Sequence, residues 1–266
     1  MTVAELPLGS HVILGEYVHR AHYGHQSNQL RWTKVSNRND FMAVNPLNGM
    51  YILDWMEPLN PIESRRNNGN NFYPHSNIHQ WLNSFSDANS GWFVPAHEYD
   101  TNVRRIDTRF FADEGFLSGF APEEYELMET VKISGPVPYG SRQQHGKVYD
   151  VSCKVYLPSD VELTGRKWFN SDECDEQPFE LFQQPFHRRP IHATMRTPFN
   201  KSYCAVCALR DGVETSIRAY DRIHVVPCMR LKPDTNLTLI NYGLYGIANI
   251  YLKSRDNSLL ELLRNF

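Results

Sequence analysis

The stretch N-N-F-Y-P-H-S-N-I-H-Q-W-L-N-S-F, residues 70–85, with G-W-F-V-P-A-H-E-Y at 91–99, decides how this 266-residue chain is read. It leaves an Asn- and Gly-rich turn region at 67–71. Ser76 or Asn77 then offers a side-chain oxygen to a helix N-terminus. Ile78, Trp81, Leu82 and Phe85 follow at helical spacing, which predicts one apolar face on a short helix. Gly91 closes the unit, and Trp92 and Phe93 enter the next segment ahead of Pro95. Aromatic side chains bury about 150–250 Å² each, so this span is expected to anchor the core.

N-terminal to this stretch, residues 8–18 alternate like a strand broken by Gly15, and a polar loop is expected at 19–29. Further strands are expected at 30–35 and 50–55. Pro122 stands at a helix first turn, with Glu123 and Glu124 against the positive end of the helix dipole. Residues 147–159 read as one long strand, with a short helix capped by Ser159 after it. Residues 164–190 read as a long surface loop. Asp211-Gly212 lies between two β-prone runs, 203–210 and 213–220, and signals a type I′ hairpin because both turn residues need positive φ. A last strand is expected at 223–231. The tail from 237 to 266 ends in an amphipathic pattern (Leu259, Leu260, Leu262, Leu263).

Composition sets limits on function. Hydrophobic residues make up 41% and aromatics 12%, enough for a sizeable core. A formal charge of −3 lacks the basic footprint of a nucleic-acid or anionic-membrane binder. No apolar run nears membrane length, and the first residues lack the pattern of a secretion signal, so synthesis in a cytoplasm is expected. Five cysteines, an odd number, read as mostly reduced thiols and not as a disulfide framework.

Several blocks in order and spacing resemble an uncharacterised domain family, frequent in Gram-positive bacteria and their phages. They are S-N-I-H-Q-W-L-N-S (76–84), G-W-F-V-P-A-H (91–97), G-F-L-S-G-F-A-P-E-E-Y (115–125), K-V-Y-L-P-S (154–159), M-R-T-P (195–198) and V-P-C-M-R-L-K-P-D (226–234). The chain departs from the family pattern at Thr194, where an aromatic is usual, and at His224-Val225-Val226-Pro227, where Gly-Val-Arg-Pro is usual. Phage members of the family are often virion structural proteins, and the family pattern is similar to C-type-lectin-like and sulfatase-modifying-factor-like domains.

The resemblance therefore implies an α+β, C-type-lectin-like domain of twisted antiparallel strands, short helices and long loops over residues 1–236. A C-terminal arm, 237–266, is expected to serve assembly or docking. The structural core residues expected are Ile78, Trp81, Leu82, Trp92, Phe93, Leu157, Arg196, Pro198, Asp211, Gly212 and Pro227. The function it implies is a virion structural protein displayed in capsid, neck or tail, whose partners are other virion proteins or copies of itself. The alternative is a carbohydrate-binding adhesin that meets a cell-surface glycan. Loops at 98–110, 136–146 and 164–200 would then carry the site, with Tyr99, Arg104, Arg105, Tyr139, Phe186, Arg188 and Arg189 as ligand-binding candidates. The resemblance supplies no catalytic residues.

A metal-assisted enzyme is a third class of function. Cys204 and Cys207 form a C-x-x-C, but on a strand positions three apart point to opposite faces. His75 and His79, with His97, lack the glutamate of a helical zinc motif. The acidic run Asp172, Glu173, Asp175, Glu176 lacks the Gly and alternating oxygens of a calcium loop and reads as solvated. The loop histidines His19, His22 and His25 read as surface residues. Neither metal nor cofactor is expected.

Overall fold

The computed structural model of the chain describes residues 1–21, 24–44, 51–52, 73–75, 77–85, 114–136, 148–166, 176–185, 187, 190, 193–197, 207–210, 213–216 and 223–237. Within them the protein is α+β: antiparallel sheets carry a few short helices.

The main sheet opens with β1 (His11–Ala21) and β2 (Gly24–Lys34), paired from His11↔Thr33 to Ala21↔Gly24. Its register shifts between Ile13 and Glu16. Gly15 sits in that bulge with φ +73°, and a Cβ there would fall 2.5 Å from the Phe120 ring, so only glycine fits. The polar stretch expected as a loop is instead strand up to its tip. Ladder hydrogen bonds join backbone groups whatever the side chains, so a hairpin anchored by the Val12↔Trp32 pair at its base continues through polar residues.

Ser36–Asp40 turns the chain into β3 (Asp40–Val44), a strand that the apolar pattern does not announce. The Ser36 hydroxyl donates to Asp40 Oδ2 at 2.6 Å and accepts the Arg38 and Asp40 amides, while Asn39 adopts φ +65°. A short pair joins β4 (Tyr51–Ile52) to a strand far along the chain.

The helix of the opening motif, α1 (Asn77–Leu82), follows a 3₁₀ turn at Tyr73–His75 and is shorter than expected. Trp81 and Leu82 are buried, and the Trp81 indole N–H donates to Glu114 O at 2.9 Å. Phe85 falls beyond the helix and is 51% exposed, its ring edge-on to Tyr125 with centroids 4.7 Å apart. It therefore does not continue the apolar face. A second 3₁₀ turn, Phe116–Gly119, puts Phe116 5.1 Å from the Trp81 ring, ahead of α2 (Pro122–Glu126). Glu124 accepts the Ala121 amide with one oxygen and the Gly15 amide with the other, so a helix start and a strand bulge share one carboxylate.

β5 (Val131–Pro136) pairs with β6 (Val148–Cys153). The long strand expected at 147–159 breaks at Lys154, before β7 (Val155–Tyr156). The break has a cause in the opening motif: Asn83 Oδ1 accepts the amides of Lys154 and Val155, and its Nδ2 donates to Val155 O and His79 O. One amide side chain thus joins the end of α1 to the strand. Ser159 caps α3 (Asp160–Thr164) in a full capping box with Glu162, and Gly165 ends it at φ +71°.

Part of the expected 164–190 surface loop is core. Glu176, Phe179 and Leu181 are buried, and α4 (Glu180–Gln183) forms there. β8 (Ala193–Met195) joins the hairpin of β9 (Cys207–Arg210) and β10 (Val213–Ser216), registered Val213↔Arg210. The turn residues Asp211 and Gly212 lie outside the described residues. The last expected strand is two: β11 (Ile223–His224) pairs with β4, and β12 (Cys228–Arg230) enters the main sheet. Pro227, buried and without an N–H, lies between them and offers its carbonyl to Ala43 N at 2.9 Å.

The five-stranded order is β1-β2-β3-β12-β7, so a strand from near residue 230 sits between strands from near 42 and 156. Trp32, Phe41, Trp81, Phe116, Tyr156, Leu157 and Met229 belong to one hydrophobic cluster with the strands around it. Leu237 is buried in the same cluster; residues 238–266 lie outside the described residues. Among the described residues no helix is long and apolar enough to cross a membrane.

Candidate functional site

Two centres of buried charge, joined by Tyr156, stand out among the described residues. The first is Arg196, on the turn after β8 and 1% exposed. Its guanidinium donates to Glu162 at 2.7 and 3.1 Å, to Glu176 at 3.0 Å, to Leu157 O at 2.6 Å and to Ser134 O at 3.3 Å. Arginine has five N–H donors in a rigid fork, and here each finds an acceptor. Burial alone would lower the Arg196 pKa, but the two carboxylates outweigh it and hold the value well above the ordinary one. Thr197 Oγ1 accepts the Asp160 amide, so the Arg196-Thr197 step grips both the cap and the first turn of α3.

The second centre is Asp40, with a fully buried side chain. Its Oδ1 accepts Arg230 Nε at 2.8 Å and the Tyr156 hydroxyl at 3.0 Å. Its Oδ2 takes Ser36 at 2.6 Å and lies 3.3 Å from Arg38 Nε. Tyr156 turns its ring to the first centre, 5.6 Å from the Arg196 guanidinium carbon. Burial, then Asp40 and Glu162, push the Tyr156 phenol well above its usual value.

Two thiols and a second phenol lie near these centres. Burial pushes Cys153 up to about 12, partly opposed by Arg196, and raises Cys228 well above the ordinary thiol value. A thiol held protonated is a poor nucleophile and a poor metal ligand. The Tyr73 hydroxyl accepts the Leu157 amide at 2.9 Å, and burial raises its pKa well above the usual range. His79 is buried against Tyr73, ring centroids 5.0 Å apart. In chemical terms the Arg196, Asp40, Tyr73 and Tyr156 side chains are paired or hydrogen-bonded in place, and they join α3, β7 and β12.

Of the residues singled out from the sequence, Arg196, Trp81, Leu82, Leu157 and Pro227 are buried in this region, and Ile78 lies in α1. Trp92, Phe93 and Pro198 lie outside the described residues, as do Tyr99, Arg104, Arg105, Tyr139, Phe186, Arg188 and Arg189. His97, Cys204, Asp172, Glu173 and Asp175 also fall outside, while Cys207 lies in β9. Glu176 is a correction to the acidic run: it is buried on Arg196 and not solvated. Among the described residues no group of three or more His, Cys, Asp or Glu is placed to hold a metal ion.

Sequence reasoning missed Asp40, Glu162 and Glu176 as members of these centres. Only Glu162 had a local signal, standing three residues after the capping Ser159. Of the first centre, Arg196 and Leu157 fall on motifs that carried the family resemblance, whereas Ser134, Glu162 and Glu176 lie between those motifs. Comparison with known proteins agrees in kind: the model of a family described as a domain of unknown function (DUF6273) matches residues 48–233. No curated protein and no solved structure matches.

Proposed function

The chain belongs to the family of the domain of unknown function DUF6273, and on that premise we propose that it is a virion structural protein with a C-type-lectin-like fold. In this reading it is a non-enzymatic scaffold displayed on a phage particle, acting through contacts with other virion proteins or copies of itself. The observation that carries the reading is the Arg196 centre. Its guanidinium is spent on two buried carboxylates, and the cap hydroxyl accepts the Glu162 amide, which makes a rigid frame. Rigid frames are what position loops for binding. The short helices on antiparallel strands and the motif blocks at 76–84, 115–125 and 195–198 support the fold and phage parts of the reading.

The test is proteomics of gradient-purified particles from a phage that encodes this chain. Its peptides should co-sediment with the major capsid protein and survive a high-salt wash. Recovery only in the soluble lysate would refute the reading. The adhesin reading predicts saturable binding of the labelled protein to Gram-positive cells, competed by isolated cell-wall glycan.

A further inference from the structure

Lys34 ends β2 with its side chain inside the protein, 2% exposed. Its ammonium donates to three carbonyl oxygens, Val3 and Leu6 at 2.9 Å and Ala4 at 3.3 Å. An ammonium has three N–H donors and no acceptor, so this carbonyl set matches its donors one for one. The carbonyls belong to a tight turn, in which Glu5 N–H donates to Thr2 O and Leu6 N–H to Val3 O. The backbone of Lys34 is tied to the same segment, its amide donating to Ser10 O and its carbonyl accepting from Gly9, both at 2.8 Å.

The other side of the turn bonds to the far end of the described chain. Val3 N–H donates to Thr235 O at 3.1 Å and Ala4 N–H to Pro233 O at 3.0 Å. Thr2 bridges Asn236, and Leu237 N–H donates to Met1 O at 3.1 Å. Val3, Leu6 and Leu237 are all buried in the one core cluster. A single short segment therefore presents carbonyls to Lys34 and amides to residues 233–237.

We propose that residues 1–10 are a strap, closed by the Lys34 ammonium, that fixes residues 233–237 and so the point from which the chain continues into 238–266. Closure at Lys34 and fixation of 233–237 are one event, because the turn that loses its ammonium also loses the shape that places its amides. The proposal goes beyond the functional reading and stands independently of it.

The test is hydrogen–deuterium exchange on the full chain with Lys34→Met, which keeps the length of the side chain and removes its three donors. Peptides covering 1–10 and 231–237 should accelerate together by about tenfold or more, while 155–163 keeps its rate. Acceleration of 1–10 alone would overturn the coupling. Acceleration everywhere, or failure to fold, would also overturn it, because the segment would then be integral core and no strap. The unmodified protein gives a second reading in low denaturant. The amides of Val3, Ala4 and Leu237 should share one opening, with less protection than Leu163, and separate openings would sink the proposal.

Discussion

The Arg196 and Asp40 centres solve one problem, a charge inside a protein, with opposite signs and different surroundings. At the first, a cation is enclosed by two carboxylates whose side chains are themselves buried. At the second, a buried anion is met by Arg38 and Arg230, whose side chains keep 34% and 26% of their exposure. Water therefore reaches the arginine side chains that meet Asp40 and not the carboxylates that meet Arg196. The centres also differ in what they join. Glu162, Glu176 and Arg196 all lie within the family segment, whereas Ser36, Arg38 and Asp40 precede it. One centre consolidates the family domain, and the other fastens the N-terminal strands to it through Tyr156 and Arg230. The lesson is that β1–β3 belong to the folded unit although they lie outside the matched residues, since β3 pairs directly with β12.

The difference in solvent access sets the order of effects. Arg196→Met leaves two buried carboxylates without a counter-charge, and removing one member of a buried pair costs about 3–5 kcal/mol. Its denaturant midpoint should fall further than that of any other variant at the two centres, or cooperative unfolding should be lost. Asp40→Asn keeps an acceptor for Tyr156 and Arg230, and its arginine partners can rehydrate, so roughly 1–3 kcal/mol is expected by urea unfolding. Equal losses in the two variants would break the comparison, because solvent access would then not be what separates the centres.

The third effect is a slope with pH, and it sharpens the picture of the Arg196 side. Cys153 moves from its ordinary value of 9.0 to about 12 in the folded protein, driven by burial. The native state therefore holds this proton more tightly than the unfolded chain. Its stabilisation is complete below about pH 9 and is lost as pH climbs toward about 12, at about 1.4 kcal/mol per pH unit. Cys228, raised from the same ordinary value, adds loss of the same sign from about pH 9, and Tyr73 and Tyr156, also raised, add it above about pH 10. Unfolding free energies measured from pH 8 to 11 should fall with this shape, and Cys153→Ala should make the first part of it shallower, leaving the share of Cys228. An unchanged slope in that variant would mean the thiol does not carry the effect.

Much of the local structure was legible in advance. Ser159 announced α3, Pro122 and the glutamates after it announced α2, and the apolar spacing of Trp81 and Leu82 announced α1. Other elements were hidden or misread. The polar ribbon of β1 and β2 read as a loop because its pairing rests on backbone bonds that side-chain pattern does not report. β3 is set by a serine–aspartate turn and carries no alternation. The strand expected at 223–231 divides because β11 and β12 have partners in different sheets. The ligand-binding candidates, from Tyr99 to Arg189, all fall outside the described residues, so the described site consists of other side chains.

Features settled within about one turn of helix or one tight turn of chain are written in the local sequence. Capping, helix starts, the apolar face of α1 and the strands flanking Asp211-Gly212 belong there, because their partners are near in sequence and their geometry is fixed by local sterics and hydrogen bonding. Which charges are buried, and what they meet, follows from the packing of distant segments. Arg230 and Asp40 stand 190 residues apart, and Arg196 and Glu162 stand 34 apart. A charge is tolerated inside a protein only where an opposite charge or a set of dipoles is waiting, and that condition depends on how distant strands come together.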